Sequence, residues 1–134
     1  MNQHHTVAAC MTSKVLSLQL TDMPQVALHL FRNYPIDYIP VLHGRRLVGI
    51  VERRHFVRMY AEHYRSTLAA FVSIDFVKLE AGDALAVAQE IFATGLFPFI
   101  PVVDKLDRLV GAITPEYQAH AVAAAGPFLQ ALRA

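Results

Sequence analysis

The fold of this chain is decided by Ile39-Pro40-Val41, which leads through a short polar turn to Leu47-Val48-Gly49, because this stretch occurs twice. The second copy is Ile100-Pro101-Val102, a turn one residue longer, and Leu109-Val110-Gly111. The two copies begin 61 residues apart, whereas solenoid units run about 20–50 residues and need three or more copies. The duplication therefore predicts two similar half-domains packed as a pseudo-two-fold pair. The gap between such halves is the natural place for a ligand.

The bulk composition indicates a folded globular protein. The 134 residues are 54% hydrophobic and only 17% charged, whereas disordered segments combine low hydrophobicity with high charge. This length fits one compact domain or two small halves that share a core. Each half alone would be marginally stable, so we expect the two to fold together. The apolar composition also predicts a self-association surface and hence a homodimer.

The sequence has no predicted membrane span and no export signal. The longest apolar stretch, residues 91–103, is too short to span a bilayer and is interrupted by Gly95, Pro98 and Pro101. The N-terminus lacks the basic region and apolar run of a signal peptide. Cys10 is the single cysteine and can form no internal disulfide, so we expect a cytoplasmic protein.

The charge is distributed unevenly along the chain. Residues 1–66 carry a net charge of +4 and residues 67–134 a net charge of −3. No basic stripe with interleaved aromatic residues accompanies this asymmetry, so we expect no nucleic-acid partner.

Each copy predicts the same element order, strand-helix-strand-strand-helix, in a mixed α/β fold. Short apolar runs indicate the strands, and apolar residues at helical spacing indicate the helices. Thr21 or Asp22 is expected to cap the first helix of the first copy, and Asp83 that of the second. The strand-helix-strand part should be a right-handed crossover with parallel strands. The elements are expected at residues 15–18, 22–33, 38–42, 47–51 and 52–64, and again at 76–79, 83–94, 99–103, 109–113 and 115–124.

This doubled order of elements resembles a CBS domain pair, also called a Bateman module and named after cystathionine beta-synthase. The matching residues are Met11-Thr12 before the first strand, Ile-Pro-Val opening each hairpin and Leu-Val-Gly in each third strand. The resemblance covers residues 11–122. It divides the chain into an N-terminal leader, two CBS motifs and a C-terminal tail with a short helix at 128–134; the ranges are 1–10, 11–66, 67–124 and 125–134.

The resemblance implies a stand-alone regulatory module and not an enzyme. Similar modules bind adenosine-containing ligands, namely AMP, ADP, ATP, NAD or S-adenosylmethionine, in clefts between the two motifs. They also associate into dimers and regulate a partner protein, which the sequence does not name. No cofactor is required, and an adenine nucleotide is the expected ligand.

The family pattern places Ser/Thr three residues after the glycine of the third strand and Asp three residues later. The Asp binds the ribose hydroxyls, while the Ser/Thr and the following helix N-terminus hold phosphate. This sequence has Glu52 and His55 in the first copy and Thr114 and Tyr117 in the second. Thr114 matches the pattern, and the ribose-binding Asp is missing twice. Tyr117 can make one hydrogen bond but cannot replace a two-oxygen carboxylate.

Further candidates lie beside these positions. Arg53 and Arg54 are expected to attract phosphate at the helix start, whereas Glu52 would repel it. Residues before each hairpin proline line the family's clefts, so the rings of Tyr38 and Phe99 either stack on a base or fill the gap between the halves. The candidate ligand-binding residues are Thr114, Tyr117, Arg53, Arg54, His55, Glu52, Asp37, Tyr38 and Phe99.

Other chemistry has little support in the sequence. Glu52 and His55 have a spacing that can share a metal, but the seven histidines are scattered and no zinc spacing occurs. No nucleophile motif or phosphate-binding loop is present, so we predict no catalytic residues and no metal. Two hypotheses remain: a regulator that binds an adenosine-containing ligand, and a dimerising protein-interaction module that has lost nucleotide binding.

Overall fold

The computed structural model describes residues 5–117. Most of the helix predicted at 115–124, and all of the tail helix predicted at 128–134, lie outside this range. The elements alternate as expected for a mixed α/β fold. In chain order they are α1 (Val7–Cys10), β1 (Leu18–Gln19), α2 (Pro24–Asn33), β2 (Tyr38–His43), β3 (Arg46–Glu52), α3 (Arg53–His63), a 3₁₀ turn (Leu68–Phe71), β4 (Leu79–Glu80), α4 (Leu85–Ala93), β5 (Ile100–Val103) and β6 (Leu109–Ile113).

Each repeat forms its own three-stranded sheet, in the order β1-β2-β3 and β4-β5-β6. The first strand of each sheet is parallel to the second, as the crossover predicts, and the hairpin is antiparallel. The register repeats as well, because Pro40 lies opposite Ile50 and Pro101 lies opposite Ala112. Within residues 5–117, no helix is long and apolar enough to cross a membrane.

The predicted helix caps are wrong. Helices α2 and α4 begin at Pro24 and Leu85, and neither has a side-chain cap. The carboxylates of Asp22 and Asp83 instead accept the backbone N–H three residues upstream, each at 2.8 Å. These bonds fix the turn that ends β1 and β4. The two strands begin three residues later than the apolar runs predicted and end one residue later.

The described chain forms two compact units. The first-repeat unit is Leu16–Phe76, and the second-repeat unit combines residues 5–15 with residues 77–117. Phe56 lies at the centre of the first core, with the Phe31 ring 5.5 Å and the Phe71 ring 4.9 Å away. The second core includes Ile100 and Ile113 from the hairpin.

Each unit is completed by a segment that precedes the other repeat. In the second-repeat unit this arm is residues 5–15, where Val7 is fully buried and Thr12 pairs with Ala112. Part of the predicted leader thus packs against the second repeat. In the first-repeat unit the arm is residues 66–76, where Leu68 is buried and Ser73 pairs with Ile50.

The last position of Leu-Val-Gly requires glycine in both units, because the arm crosses directly over it. A Cβ on Gly111 would lie 2.6 Å from the Thr12 carbonyl oxygen and 2.7 Å from the Met11 sulfur. A Cβ on Gly49 would collide with Val72 and lie 2.9 Å from the Ser73 carbonyl oxygen. Real Cβ atoms do not approach backbone oxygen this closely, so the arms require glycine at both positions.

Candidate functional site

In the first-repeat unit, most candidate residues gather at one end of the β2–β3 hairpin. Tyr38 opens β2 and lies opposite Glu52, which closes β3. Helix α3 begins at the next residue, Arg53. The antiparallel register therefore brings six candidates to the same end of the sheet: Asp37, Tyr38, Glu52, Arg53, Arg54 and His55.

The Tyr38 side chain lies in a mixed electrostatic environment. Its side chain is half-buried, and this burial raises the pKa of the phenol. The carboxylates of Glu52 and Asp37 raise the pKa further, while Arg54 lowers it. The phenol therefore stays protonated at neutral pH and presents a ring and a neutral hydroxyl at this end of the hairpin.

Arg53 is engaged within its own unit. Nη1 donates to the carbonyl of Phe31 at 2.8 Å, and Nη2 donates to the carbonyls of Tyr34 at 3.0 Å and Ile36 at 2.5 Å. Nε donates to the carbonyl of Ile36 and to the carboxylate of Asp37, each at 3.0 Å. All three guanidinium nitrogens thus have acceptors, whereas the sequence suggested that this side chain attracts phosphate.

The start of α3 also carries an acidic, a basic and an imidazole side chain. Glu52 is exposed and makes no side-chain capping bond to the first turn. Arg54 is exposed and His55 is half-buried. A helix N-terminus carries partial positive charge, and Arg54 adds a full one beside it. This end of α3 can therefore attract an anion, against the opposing charge of Glu52.

In the second-repeat unit, the distinctive group is Thr114. Its hydroxyl oxygen is buried and has no hydrogen-bond partner, and no other buried side-chain nitrogen or oxygen in residues 5–117 is in this state. Ile100 lies opposite Ile113, so Phe99 and Thr114 flank the same end of the β5–β6 hairpin. The Phe99 ring is half-buried there.

Tyr117 lies in the core of the same unit. The residue is only 7% exposed. Its ring stacks on that of Phe92 at 6.5 Å, and its hydroxyl accepts a hydrogen bond from Gln89 Nε2 at 2.8 Å. The structure thus gives Tyr117 a packing role. Sequence reasoning missed Gln89, although this residue is polar where the first repeat has Leu28, and that difference was the available signal.

A surface pocket of about 370 Å³ lies at the opposite end of the second sheet. It is lined mainly by charged side chains that pair with one another, such as Lys78 Nζ and Asp107 Oδ1 at 2.6 Å. Over the described part of the chain, no three His, Cys, Asp or Glu side chains converge on a possible metal position.

Residues 7–62 match the family model described as CBS domain. Among solved structures, the chain is similar to CBSX2 in complex with AMP, with 19% identity, a TM-score of 0.76, and coverage of 90% of this chain and 97% of that one. It is also similar to the CBS domain pair of protein MJ0100 in complex with 5′-methylthioadenosine and S-adenosyl-L-methionine. There the identity is 16%, the TM-score 0.72, and the coverage 89% and 96%.

A curated relative is the homoserine O-acetyltransferase of Methanocorpusculum labreanum, which is 28% identical over 112 residues. The match takes in 83% of this chain but spans only 23% of that protein. The two solved structures cover 90% and 89% of this chain, and at identities of 19% and 16% the similarity concerns the fold alone. The resemblance inferred from the sequence is thus confirmed: the chain has the fold of a CBS domain pair, and its residues 7–62 match the CBS domain family.

Proposed function

We propose that this chain is a regulatory module that binds an adenosine-containing ligand and modulates a partner protein. The observation that carries the proposal is the buried, unpartnered hydroxyl of Thr114, at the position where the CBS pattern has a ligand-contacting Ser or Thr. Leaving a buried polar group unpaired costs about 1–3 kcal/mol. A bound ligand that hydrogen-bonds this hydroxyl would remove that cost.

The complexes of the similar structures support the ligand class, since CBSX2 was solved with AMP and the MJ0100 domain pair with 5′-methylthioadenosine and S-adenosyl-L-methionine. In the first-repeat unit, the Tyr38 ring suits a flat base, and Arg54 at the start of α3 suits a phosphate. His55 stands where the family has its ribose-binding Asp, and its ring nitrogens can hydrogen-bond a hydroxyl. The proposed ligands are AMP, ADP, ATP, NAD and S-adenosylmethionine.

We propose a cytoplasmic homodimer without catalytic activity of its own. Exposed apolar side chains support self-association: Met23 is 66% exposed, and Val26 and Val87, at equivalent places in the two repeats, are 39% and 41% exposed.

The alternative is a dimerising interaction module that has lost nucleotide binding. The specific observation in its favour is that neither repeat keeps the ribose-binding carboxylate. His55 replaces it in the first repeat. Tyr117 replaces it in the second and is occupied with Phe92 and Gln89.

A thermal-shift panel separates the two functions. AMP, ADP, ATP, NAD and S-adenosylmethionine are each added at millimolar concentration to the protein and to Thr114→Val, which keeps the side-chain shape but removes the hydroxyl. A ligand at 100 times its Kd stabilises the protein by about 2.7 kcal/mol. We expect at least one compound to raise the Tm of the protein and to raise that of Thr114→Val less. No shift with any compound would refute the ligand proposal and leave the interaction module.

A further inference from the structure

We infer that Arg53 is a positioning residue for the first-repeat ligand site, which fixes the segment leading into Tyr38 and leaves contact with a ligand phosphate to Arg54. This inference rests on the proposed function where it concerns a ligand. Its structural part, that Arg53 holds residues 34–37 in place, does not depend on a ligand.

The contacts of Arg53 identify it as a cap for the end of α2. The last carbonyls of a helix lack partners within the helix. The Arg53 guanidinium supplies donors to the Phe31 carbonyl within the last turn and to the Tyr34 carbonyl just beyond it. Its carbon also lies 5.1 Å from the centroid of the Phe31 ring, a cation–π contact. One side chain therefore ends the helix and packs on it.

The same side chain fixes the chain that leaves α2. It donates to the Ile36 carbonyl and pairs with the Asp37 carboxylate. Its own backbone N–H donates to the Asp37 carbonyl at 2.8 Å. Tyr38 follows immediately, so Arg53 sets where this ring stands relative to the start of α3.

The second repeat caps the end of its corresponding helix without an arginine. Its counterpart of Arg53 is Pro115, which has no donor. Helix α4 ends at Ala93, and Gly95 just beyond it has a φ of 73° and donates its N–H to the Phe92 carbonyl, as glycine commonly does after a helix end. The first repeat has Tyr34, with a φ of −133°, in place of that glycine. Arg53, from α3, thus donates a hydrogen bond to the Phe31 carbonyl, as Gly95 does to the Phe92 carbonyl beside its own helix end.

These contacts favour Arg54 over Arg53 as the arginine that meets a ligand phosphate. The guanidinium has five N–H groups in a fixed fork, and its three nitrogens already serve Phe31, Tyr34, Ile36 and Asp37. Arg54 is exposed at the same helix start. Arg54 is therefore the phosphate-selecting side chain, and Arg53 acts through Asp37 and Tyr38.

The test compares Arg53→Lys with Arg54→Gln, using AMP and adenosine as paired probes in calorimetric titrations. Lysine keeps the charge but loses the fork. For Arg53→Lys we expect both probes to weaken by a similar factor, about tenfold, since the ring is displaced. For Arg54→Gln we expect AMP to weaken about tenfold and adenosine to keep its affinity. If Arg53→Lys weakens AMP alone, or weakens neither probe, the inference is overturned.

Backbone hydrogen exchange tests the structural part and separates its failure from that of the proposed function. In Arg53→Lys, we expect the four non-proline amides of residues 34–38 to exchange at least about tenfold faster while those of Val41 and Val51 keep their rates. If the wild-type protein binds neither probe, the proposed function fails, and this exchange pattern still decides whether Arg53 positions the segment. Unchanged exchange at residues 34–38 would overturn the inference.

A second variant covers the case in which Arg53→Lys does not fold. Asp37→Asn removes the ion pair and keeps the carbonyl contacts. We expect a smaller acceleration in residues 34–38 and an unchanged ratio of AMP to adenosine affinity. Unchanged exchange, or an altered ratio, would contradict the positioning role.

Discussion

Thr12 and Gly111 are in direct backbone contact, so closely that a methyl group on Gly111 would lie 2.6 Å from the Thr12 carbonyl oxygen. Thr12 also exchanges two hydrogen bonds with Ala112, each at 2.9 Å. The residue pair thus fastens the arm of residues 5–15 to β6. Since β6 ends one residue before Thr114, the arm helps to define the strand that carries the candidate ligand residue.

Substitution of Gly111 is expected to destabilise the second-repeat unit. In Gly111→Ala the new methyl group meets a backbone oxygen that cannot move without displacing the arm, so we expect a loss of about 1–3 kcal/mol in unfolding free energy. Urea denaturation measures it. Gly82→Ala is the matched control, because a Cβ there meets nothing within 4 Å. Equal stabilities for the two variants would show that the arm does not require glycine.

The arm itself contributes to stability through Val7. This side chain is fully buried in the second core, so we expect Val7→Ala to lower the unfolding free energy by about 1–3 kcal/mol. The exposed neighbour Ala8 serves as control in Ala8→Ser, with a change within about 0.5 kcal/mol. An unaffected Val7→Ala protein would mean that residues 5–15 form a loose leader in solution.

Tyr117 is expected to affect stability and not ligand binding. Tyr117→Phe keeps the ring on Phe92 but removes the acceptor of Gln89, which should cost about 1 kcal/mol. Thermal melting and AMP titration measure the two effects. A marked loss of AMP affinity at unchanged Tm would instead restore Tyr117 as a ligand residue.

Asp104 is expected to make part of the stability depend on pH. The backbone N–H of Arg108 and then the Arg108 side chain bond to its carboxylate and lower its pKa below the ordinary value. The ionised form therefore stabilises the fold above the unfolded-state pKa of about 3.9, and this contribution disappears as pH falls through the lower folded-state pKa. The Tm difference between the protein and Asp104→Asn should shrink from pH 7 to pH 3. A difference that stays constant would contradict this role.

The sequence predicted the architecture well because the hairpins depend on local pattern. Ile-Pro-Val and Leu-Val-Gly recur with the same register, Pro40 opposite Ile50 and Pro101 opposite Ala112. Each hairpin combines two apolar runs that contain β-branched residues with a polar turn between them, and such signals can be recognised within a short stretch of sequence.

The candidate site was harder to predict because its contacts are non-local. The acceptors of Arg53 are mostly backbone carbonyls, among them that of Phe31. Because every residue has a backbone carbonyl, residue types do not indicate which carbonyls accept these bonds. Asp22 correctly indicated a side chain that accepts a backbone hydrogen bond, but the donor is the N–H of Gln19 upstream and not an N–H of the helix. Tyr117 occupies a family ligand position in the sequence, but its burial, its stacking on Phe92 and its bond with Gln89 place it in the core.

Whether Thr114 contacts the ligand is decided by a crystal structure of the protein with the adenosine compound that stabilises it most. We expect a ligand oxygen or nitrogen about 2.5–3.2 Å from Thr114 Oγ1, since this hydroxyl has no partner among the described residues. A ligand bound away from Thr114, or a Thr114 hydroxyl bonded to a protein group in the ligand-bound crystal, would contradict it.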